Sequence, residues 1–174
     1  MGKSLLLTGS TGIGKTTIIR KVADALGDRA GGFYTEELLA PGGRHGFKLT
    51  TLSGKTVPIA HKDLKPPKYA QEGRFGVDTR ALEKVGVRAL EKAMAENRIV
   101  VVDGINLVTL YSKRFLDVLM GGVLGGAHIV GTLMDKSHPE ADAFRYISKI
   151  SIWEVDRRNR DTMHEQVLAW VDKL

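Results

Sequence analysis

Residues 9 to 16 read Gly9-Ser10-Thr11-Gly12-Ile13-Gly14-Lys15-Thr16, a full G-x-x-x-x-G-K-[ST] phosphate-binding loop, directly behind the apolar run Leu5-Leu6-Leu7. No other segment limits the fold as tightly, because this motif works only between a buried strand and the first turn of a helix. Glycines let the backbone curl so that successive N–H groups and the positive end of the helix face phosphate oxygens. Lys15 adds a mobile cation, and the Thr16 hydroxyl offers a ligand to Mg²⁺ that bridges the terminal phosphates. Residues Gly9 through Thr17 are therefore expected to hold a nucleoside triphosphate, ATP or GTP. Ile18, Ile19, Val22, Ala23 and Leu26 recur at helical spacing, which predicts a helix ending at Gly27.

At 174 residues, with 43% hydrophobic and 26% charged, the chain has the size of one domain, 1–174, with a real core. It has no cysteine, so disulfides, thiolate metal sites and cysteine nucleophiles are excluded. The run at Leu5 to Leu7 is too short for a signal peptide or a membrane span, and a cytoplasmic location is expected. Gly2 follows Met1, but the position that a myristoylation motif reserves for Ser or Thr is Leu6, so no lipid anchor is expected. A formal charge of +6 suits polyanionic ligands. Because Lys and Arg are interleaved with acids along the chain, an ordinary basic surface is favoured over nucleic-acid contact. Nothing in the sequence indicates an oligomeric state.

Beyond the first helix, Gly31 to Thr35 predicts a strand, Pro41 to Arg44 a turn, and Phe47 to Leu52 a returning strand. Ser53-Gly54 turns the chain again into Val57 to Ala60, giving an antiparallel ribbon. Residues 61–77, with Pro66-Pro67 and many lysines, lack periodicity and predict a surface loop that covers the nucleotide. Leu82, Val85, Ala89, Leu90, Ala93 and Met94 form a helical stripe, followed by the buried strand Ile99 to Asp103. A helix over 112–120, a glycine-rich turn over 121–126, a strand over 127–134 and a short helix near 140–144 follow. A strand over 147–153 and a helix over 161–174 complete the pattern. Strands alternating with helices predict an α/β fold, a mainly parallel sheet with helices on both faces and an antiparallel ribbon inserted.

Asp103 closes an apolar strand, the place of the acidic residue of a Walker B motif, where a carboxylate holds Mg²⁺ beside the phosphate loop. Thr16 and Asp103 are thus the expected metal ligands, with Val102 and Gly104 beside them in the nucleotide site. Asp at the end of a buried strand also serves turns, and the loop at residues 9–16 is what favours the metal role. Histidines at 45, 61, 128, 138 and 164 show no metal-ligand spacing. Trp153 and Trp170 read as packing residues.

Gly32-Phe33-Tyr34-Thr35-Glu36-Glu37, Gly43-Arg44-His45-Gly46-Phe47, Gly73-Arg74-Phe75-Gly76-Val77-Asp78 and Asn159-Arg160-Asp161 follow one another in a characteristic order. In these segments, and over nearly its whole length, the chain resembles the small P-loop nucleoside-triphosphatase family of thermophiles and of the human cancer-related nucleoside triphosphatase. The resemblance implies a variant of the RecA-like P-loop architecture and slow, Mg²⁺-dependent hydrolysis of several nucleoside triphosphates. It also implies a ligand role for Asn159 and Arg160, for which a charged loop with Asp161 capping the last helix is the competing reading. Arg74 stands where the family has lysine, and a phosphate contact there is open.

One departure bears on catalysis. Where the family reads Asp-Glu-Ile-Gly-Lys-Met-Glu-Leu, this chain has Asp103-Gly104-Ile105-Asn106-Leu107-Val108-Thr109-Leu110, without either glutamate. An acid next to the Walker B aspartate orients or deprotonates the attacking water, a role worth on the order of 10² to 10⁴ in rate. Turnover is therefore expected to be weak and Gly104→Glu to speed it, with Lys15 still acting on the phosphates and Glu36 or Glu37 as replacement carboxylates. Two other readings stay open: a nucleotide-binding protein that has lost catalysis, and a small P-loop kinase, though no acceptor site or arginine-rich lid is recognisable.

Overall fold

Leu5, Leu6 and Leu7 are each at most 2% exposed, and they divide between two cores. Leu5 and Leu7 pack on one side of the sheet and Leu6 on the other, as alternation along a strand covered on both faces requires. The computed structural model describes residues 3–66 and 68–174, so the readings at Gly2 and Pro67 lie outside the described residues. Strand β1 (Ser4–Thr8) leads through the glycine loop into helix α1 (Lys15–Leu26). Next come β2 (Ala30–Ala40), β3 (Gly43–Thr51), β4 (Thr56–His61), β5 (Ala70–Glu72) and β6 (Phe75–Val77). A continuous helical stretch follows, made of α2 (Thr79–Ala81), a π-helical segment (Leu82–Val87) and α3 (Arg88–Ala95). The chain then runs through β7 (Ile99–Ile105), α4 (Lys113–Gly125), β8 (Ile129–Leu133), α5 (Pro139–Arg145), β9 (Ile150–Glu154) and α6 (Met163–Val171).

Among the described residues nine strands form one sheet in the order β5-β6-β4-β3-β2-β7-β8-β1-β9. From β2 to β9 every pairing is parallel, while β2 to β5 across the other side is antiparallel throughout. Helices α1 and α6 cover one face through Ile18, Ile19, Val22, Met163 and Val167. The π-helical segment, α3, α4 and α5 cover the other through Val85, Leu90, Phe115, Leu119 and Phe144. Phe33 of β2 is fully buried in that second core, its ring 6.2 Å from that of Phe115. Gly86 lets the π-helical turn lie directly on Phe33 and Leu49, since a Cβ there would collide with the Leu49 side chain.

Three expectations need correction. The stretch 61–77 is not all loop: Phe75, Gly76 and Val77 are buried and form β6, which pairs with both β4 and β5 at the far edge of the sheet. Gly121 and Gly122 do not turn the chain but continue α4 to Gly125. Gly122 lies against the end of the Met94 side chain, which would have to shift to admit a Cβ, so this glycine sits at a helix contact. The last helix begins at Met163 without a side-chain cap, so Asp161 does not cap it. Arg74 of the same edge donates to the Arg44 carbonyl at 2.8 Å and lies 5.1 Å over the Phe75 ring.

Phe33 fills the junction between the parallel and antiparallel halves, so Phe33→Ala is expected to cost about 3–5 kcal/mol of stability. A thermal melt should then show Tm lower by roughly 6–20 °C, and a shift within error would mean that the site collapses without loss of packing.

Candidate active site

Parallel pairing brings the carboxyl ends of β1, β7 and β8 to one edge of the sheet, where open α/β folds place their ligands. At that edge the loop from Gly9 to Gly14 uses left-handed backbone at Gly9 (φ 139), Gly12 (φ 79) and Gly14 (φ 113), conformations that side chains resist. Gly9 also touches the Val155 carbonyl, which leaves no room for a Cβ. Gly14 precedes α1 and offers no side-chain cap, and no acid stands in the first turn. The first N–H groups of a long helix thus open toward the loop, a preformed anion site. Ser10, Thr11 and Thr17 are exposed, and Ile13 anchors the loop in the core.

Lys15 folds back over the loop, its Nζ donating to the carbonyls of Gly9 (2.5 Å) and Ser10 (3.1 Å). Burial holds its ammonium below the usual lysine range, and the carboxylates of Asp103 and Asp135 draw it back up. Asp103 is 3% exposed. Its Oδ1 accepts from Thr132 Oγ1 at 2.5 Å, whereas Oδ2 is buried with no hydrogen-bond partner among the described residues. Burial pushes its carboxyl up, opposed in turn by the hydroxyls of Thr132 and Thr16 and by the charges of Lys15 and Arg20. Thr16 therefore acts on the same carboxyl, although no full hydrogen bond reaches Oδ2.

An orphaned carboxylate oxygen beside a threonine hydroxyl and an ammonium fits Mg²⁺, a hard cation that takes oxygen ligands. Among the described residues no group of three or more His, Cys, Asp or Glu side chains forms a metal cage. Mg²⁺ at such sites commonly takes only one or two protein oxygens and completes its shell with phosphates and water.

The strand carrying Asp103 does not stop there. β7 continues through Gly104 and Ile105, with a register shift against β8 between Val102 and Ile105, so that Thr132 faces both Asp103 and Gly104. A Cβ at Gly104 would collide with Thr132 Oγ1. Thr109, at one of the positions where glutamate was absent, is fully buried and donates to the Gly104 carbonyl at 2.8 Å. Asn106 Oδ1 accepts from the N–H groups of Val108 and Thr109, which closes the turn that follows. Thr132 is thus a site residue that the sequence did not point to; its partner lies 29 residues away and no motif marks it.

The two glutamates of β2 part company. Tyr34 pairs with Asp103 across the sheet, and Glu36, two residues on, shares the α1 face. Its oxygens are held by Arg20 at 2.7 Å and Lys48 at 3.3 Å. Arg20 in turn stacks over Tyr34 at 4.7 Å. Glu37 falls on the opposite face and pairs with Arg44 at 3.3 Å. Residues 156–160 follow β9, the neighbour of β1, and so flank the loop from the other side. There Asn159 spends its amide within the turn, donating to the Glu154 carbonyl and accepting from the Asp156 N–H, both at 2.9 Å. Arg160 keeps a long contact to Asp161, 3.7 Å. A surface depression lined by Gly31, Ser53, Lys92 and Arg98 lies at the far end of α1 and takes no part in this site.

The sequence model of the family described as NTPase matches residues 4–168. The nucleoside-triphosphatase THEP1 of Thermotoga sp. (strain RQ2) is 34% identical over 165 residues, covering 95% of this chain and 93% of the relative. The crystal structure of THEP1 from Aquifex aeolicus superposes with a TM-score of 0.87 at 29% identity, covering 96% of this chain and 98% of the other. The solution structure of a human cancer-related nucleoside triphosphatase does so at 0.83 and 30%, covering 99% and 98%. With a P-loop α/β fold and a family match over nearly its whole length, the chain belongs to the NTPase family.

Proposed function

We propose that this protein hydrolyses nucleoside triphosphates, ATP and GTP among them, to the diphosphate and phosphate in a Mg²⁺-dependent reaction, and that it does so slowly. The observation that carries this reading is the convergence of the uncapped α1 N-terminus, Lys15 and the buried Asp103 with its orphaned oxygen at one sheet edge. The loop amides and Lys15 bind the β- and γ-phosphates and stabilise charge that grows on the transferring group. Thr16 and Asp103 would hold Mg²⁺ between them. The chemistry supplied there by the ion is neutralisation of charge on the terminal phosphate oxygens. Asn159 and Arg160 flank the loop on the β9 side, a placement that suits contact with the nucleoside rather than with the γ-phosphate. Gly104 supplies no carboxylate, and this supports slow turnover. A cytoplasmic location belongs to the same proposal; among the described residues no helix is long and apolar enough to cross a membrane.

Binding is tested by thermal melts with and without Mg²⁺ and nucleotide, where a ligand at about a hundred times its Kd adds about 2.7 kcal/mol to the native state. Lys15→Ala should remove most of that gain, and no shift for any nucleotide with the intact protein would refute the phosphate-loop assignment. For the metal, Asp103→Asn should raise the Mg²⁺ needed for half-maximal phosphate release. Its combination with Thr16→Ala should cost less than the two losses added, since both act through one ion. An unchanged Mg²⁺ titration in Asp103→Asn would leave that residue a purely structural partner of Thr132. Gly104→Glu, which the sequence alone recommends as a rescue, is now expected to fail. Its Cβ displaces Thr132 from Asp103, so phosphate release should not rise, and overpacking should cost about 1–3 kcal/mol of stability and lower Tm. A rise of tenfold or more in a well-folded variant would show that Thr132 yields without cost.

A further inference from the structure

Hydrolysis leaves one role without a residue in the family motif, the acceptor for the proton of the attacking water. The acids around the loop can be sorted by what already holds them. Asp103 is buried against Thr132, and Glu36 has both oxygens in ion pairs. Asp156 is tied to Arg158. Glu154 follows Trp153, which packs on the α1 side, and so falls on the other face of β9.

Asp135 differs from all of these. It is exposed, and among the described residues only its backbone carbonyl is engaged, by Arg145 Nη2 at 3.5 Å. β8 runs parallel to β1 with Thr132 opposite Leu7. Asp135 therefore stands as far past that pair as Ser10 does, level with the start of the phosphate loop and between the ends of β1 and β7. Its charge is felt by the Lys15 ammonium. The backbone that presents it is fixed: Arg145 donates to the Met134 carbonyl at 2.6 Å and its Nε pairs with Asp142. The second oxygen of Asp142 accepts from Ser137 Oγ and from the His138 N–H. An unpaired carboxylate on a tethered segment beside the loop is suited to orient a small polar molecule there.

We infer that Asp135 is the catalytic carboxylate of this chain: it orients the attacking water at the γ-phosphorus and takes its proton, in place of the side chain that Gly104 lacks. The inference rests on the hydrolase reading above. The water oxygen forms the new bond to phosphorus as the bond from phosphorus to the β–γ bridging oxygen breaks. The electron pair leaves with the diphosphate, and the water proton passes to the Asp135 carboxylate. A carboxylate presented from the segment after β8 does not need the space beside Gly104 that Thr132 fills.

The test is steady-state phosphate release from the full chain, with binding of Mg²⁺ and a non-hydrolysable ATP analogue measured in parallel. Asp135→Asn should lower kcat by about 10²-fold or more, with analogue affinity, half-saturating Mg²⁺ and Tm unchanged. Asp135→Glu, which keeps the carboxylate, should hold kcat about tenfold or more above Asp135→Asn. Asp135→Asn turning over at the wild-type rate would overturn the inference and leave the hydrolase reading intact. A loss of kcat accompanied by weaker analogue binding or a displaced Mg²⁺ titration would overturn it too, by making Asp135 a ligand of substrate or metal. Wild-type protein that binds nucleotide but releases no phosphate would overturn the hydrolase reading, and this inference with it.

Discussion

With β8 and β9 paired in parallel on its two sides, β1 has no freedom in where it delivers residue 9. Its five residues are all buried, and a shift by one would turn Leu5 and Leu7 out of the α1 core and into the opposite one. The loop therefore starts at a fixed height above the sheet, and Gly9 is wedged against Val155 at the end of β9. The remaining site residues take their positions from that frame. Lys15 is set by the first turn of α1, and Asp103 and Thr132 by the strands next in order. The long antiparallel half of the sheet adds little to this edge except Tyr34 and Glu36, whose partner Arg20 ties β2 to α1.

Electrostatics then works against the folded chain and in favour of a ligand. Lys15 and Asp103 are each pushed by burial toward their neutral forms, and each is partly restored by the other. Lys15 donates only to loop carbonyls, and among the described residues Asp103 keeps one oxygen without a partner. A buried acceptor in that state costs on the order of 1–3 kcal/mol. In the proposed reaction a triphosphate with its metal would supply anionic oxygens for the ammonium and a cation for the orphaned oxygen, and the cost of partial burial would then become binding energy.

Much of this was legible in the sequence because it is local. The loop from Gly9 to Thr16, the helix through Ile18 and Leu26, and Asp103 behind four β-branched residues announce themselves within windows of a few residues. What escaped depends on distant partners. Gly121-Gly122 reads as a turn, yet Gly122 is small because Met94 of α3 lies against it. Phe75-Gly76-Val77 sits in a lysine-rich stretch without periodicity and becomes a strand only because β4 offers it an edge. Thr132 has no motif, and its role exists only where β8 crosses the shift in β7. The Asn159 amide bridges Glu154 and Asp156 within its turn, a contact that no motif marks.

The same crossing explains why one substitution does not stand alone. A glutamate after Asp103 needs space for its Cβ, and in this chain that space belongs to the Thr132 hydroxyl, which in turn holds Oδ1 of Asp103. Gly104 and Thr132 are thus one unit, coupled by contact, and changes at the two cannot be additive. Thr109 belongs to it as well, because its buried hydroxyl fixes the Gly104 carbonyl. Once three positions share a single arrangement, the carboxylate chemistry cannot return to β7 by a single step. It is more readily met from a segment where no side chain must move, and Asp135 stands two residues past the end of β8, the strand between β1 and β7.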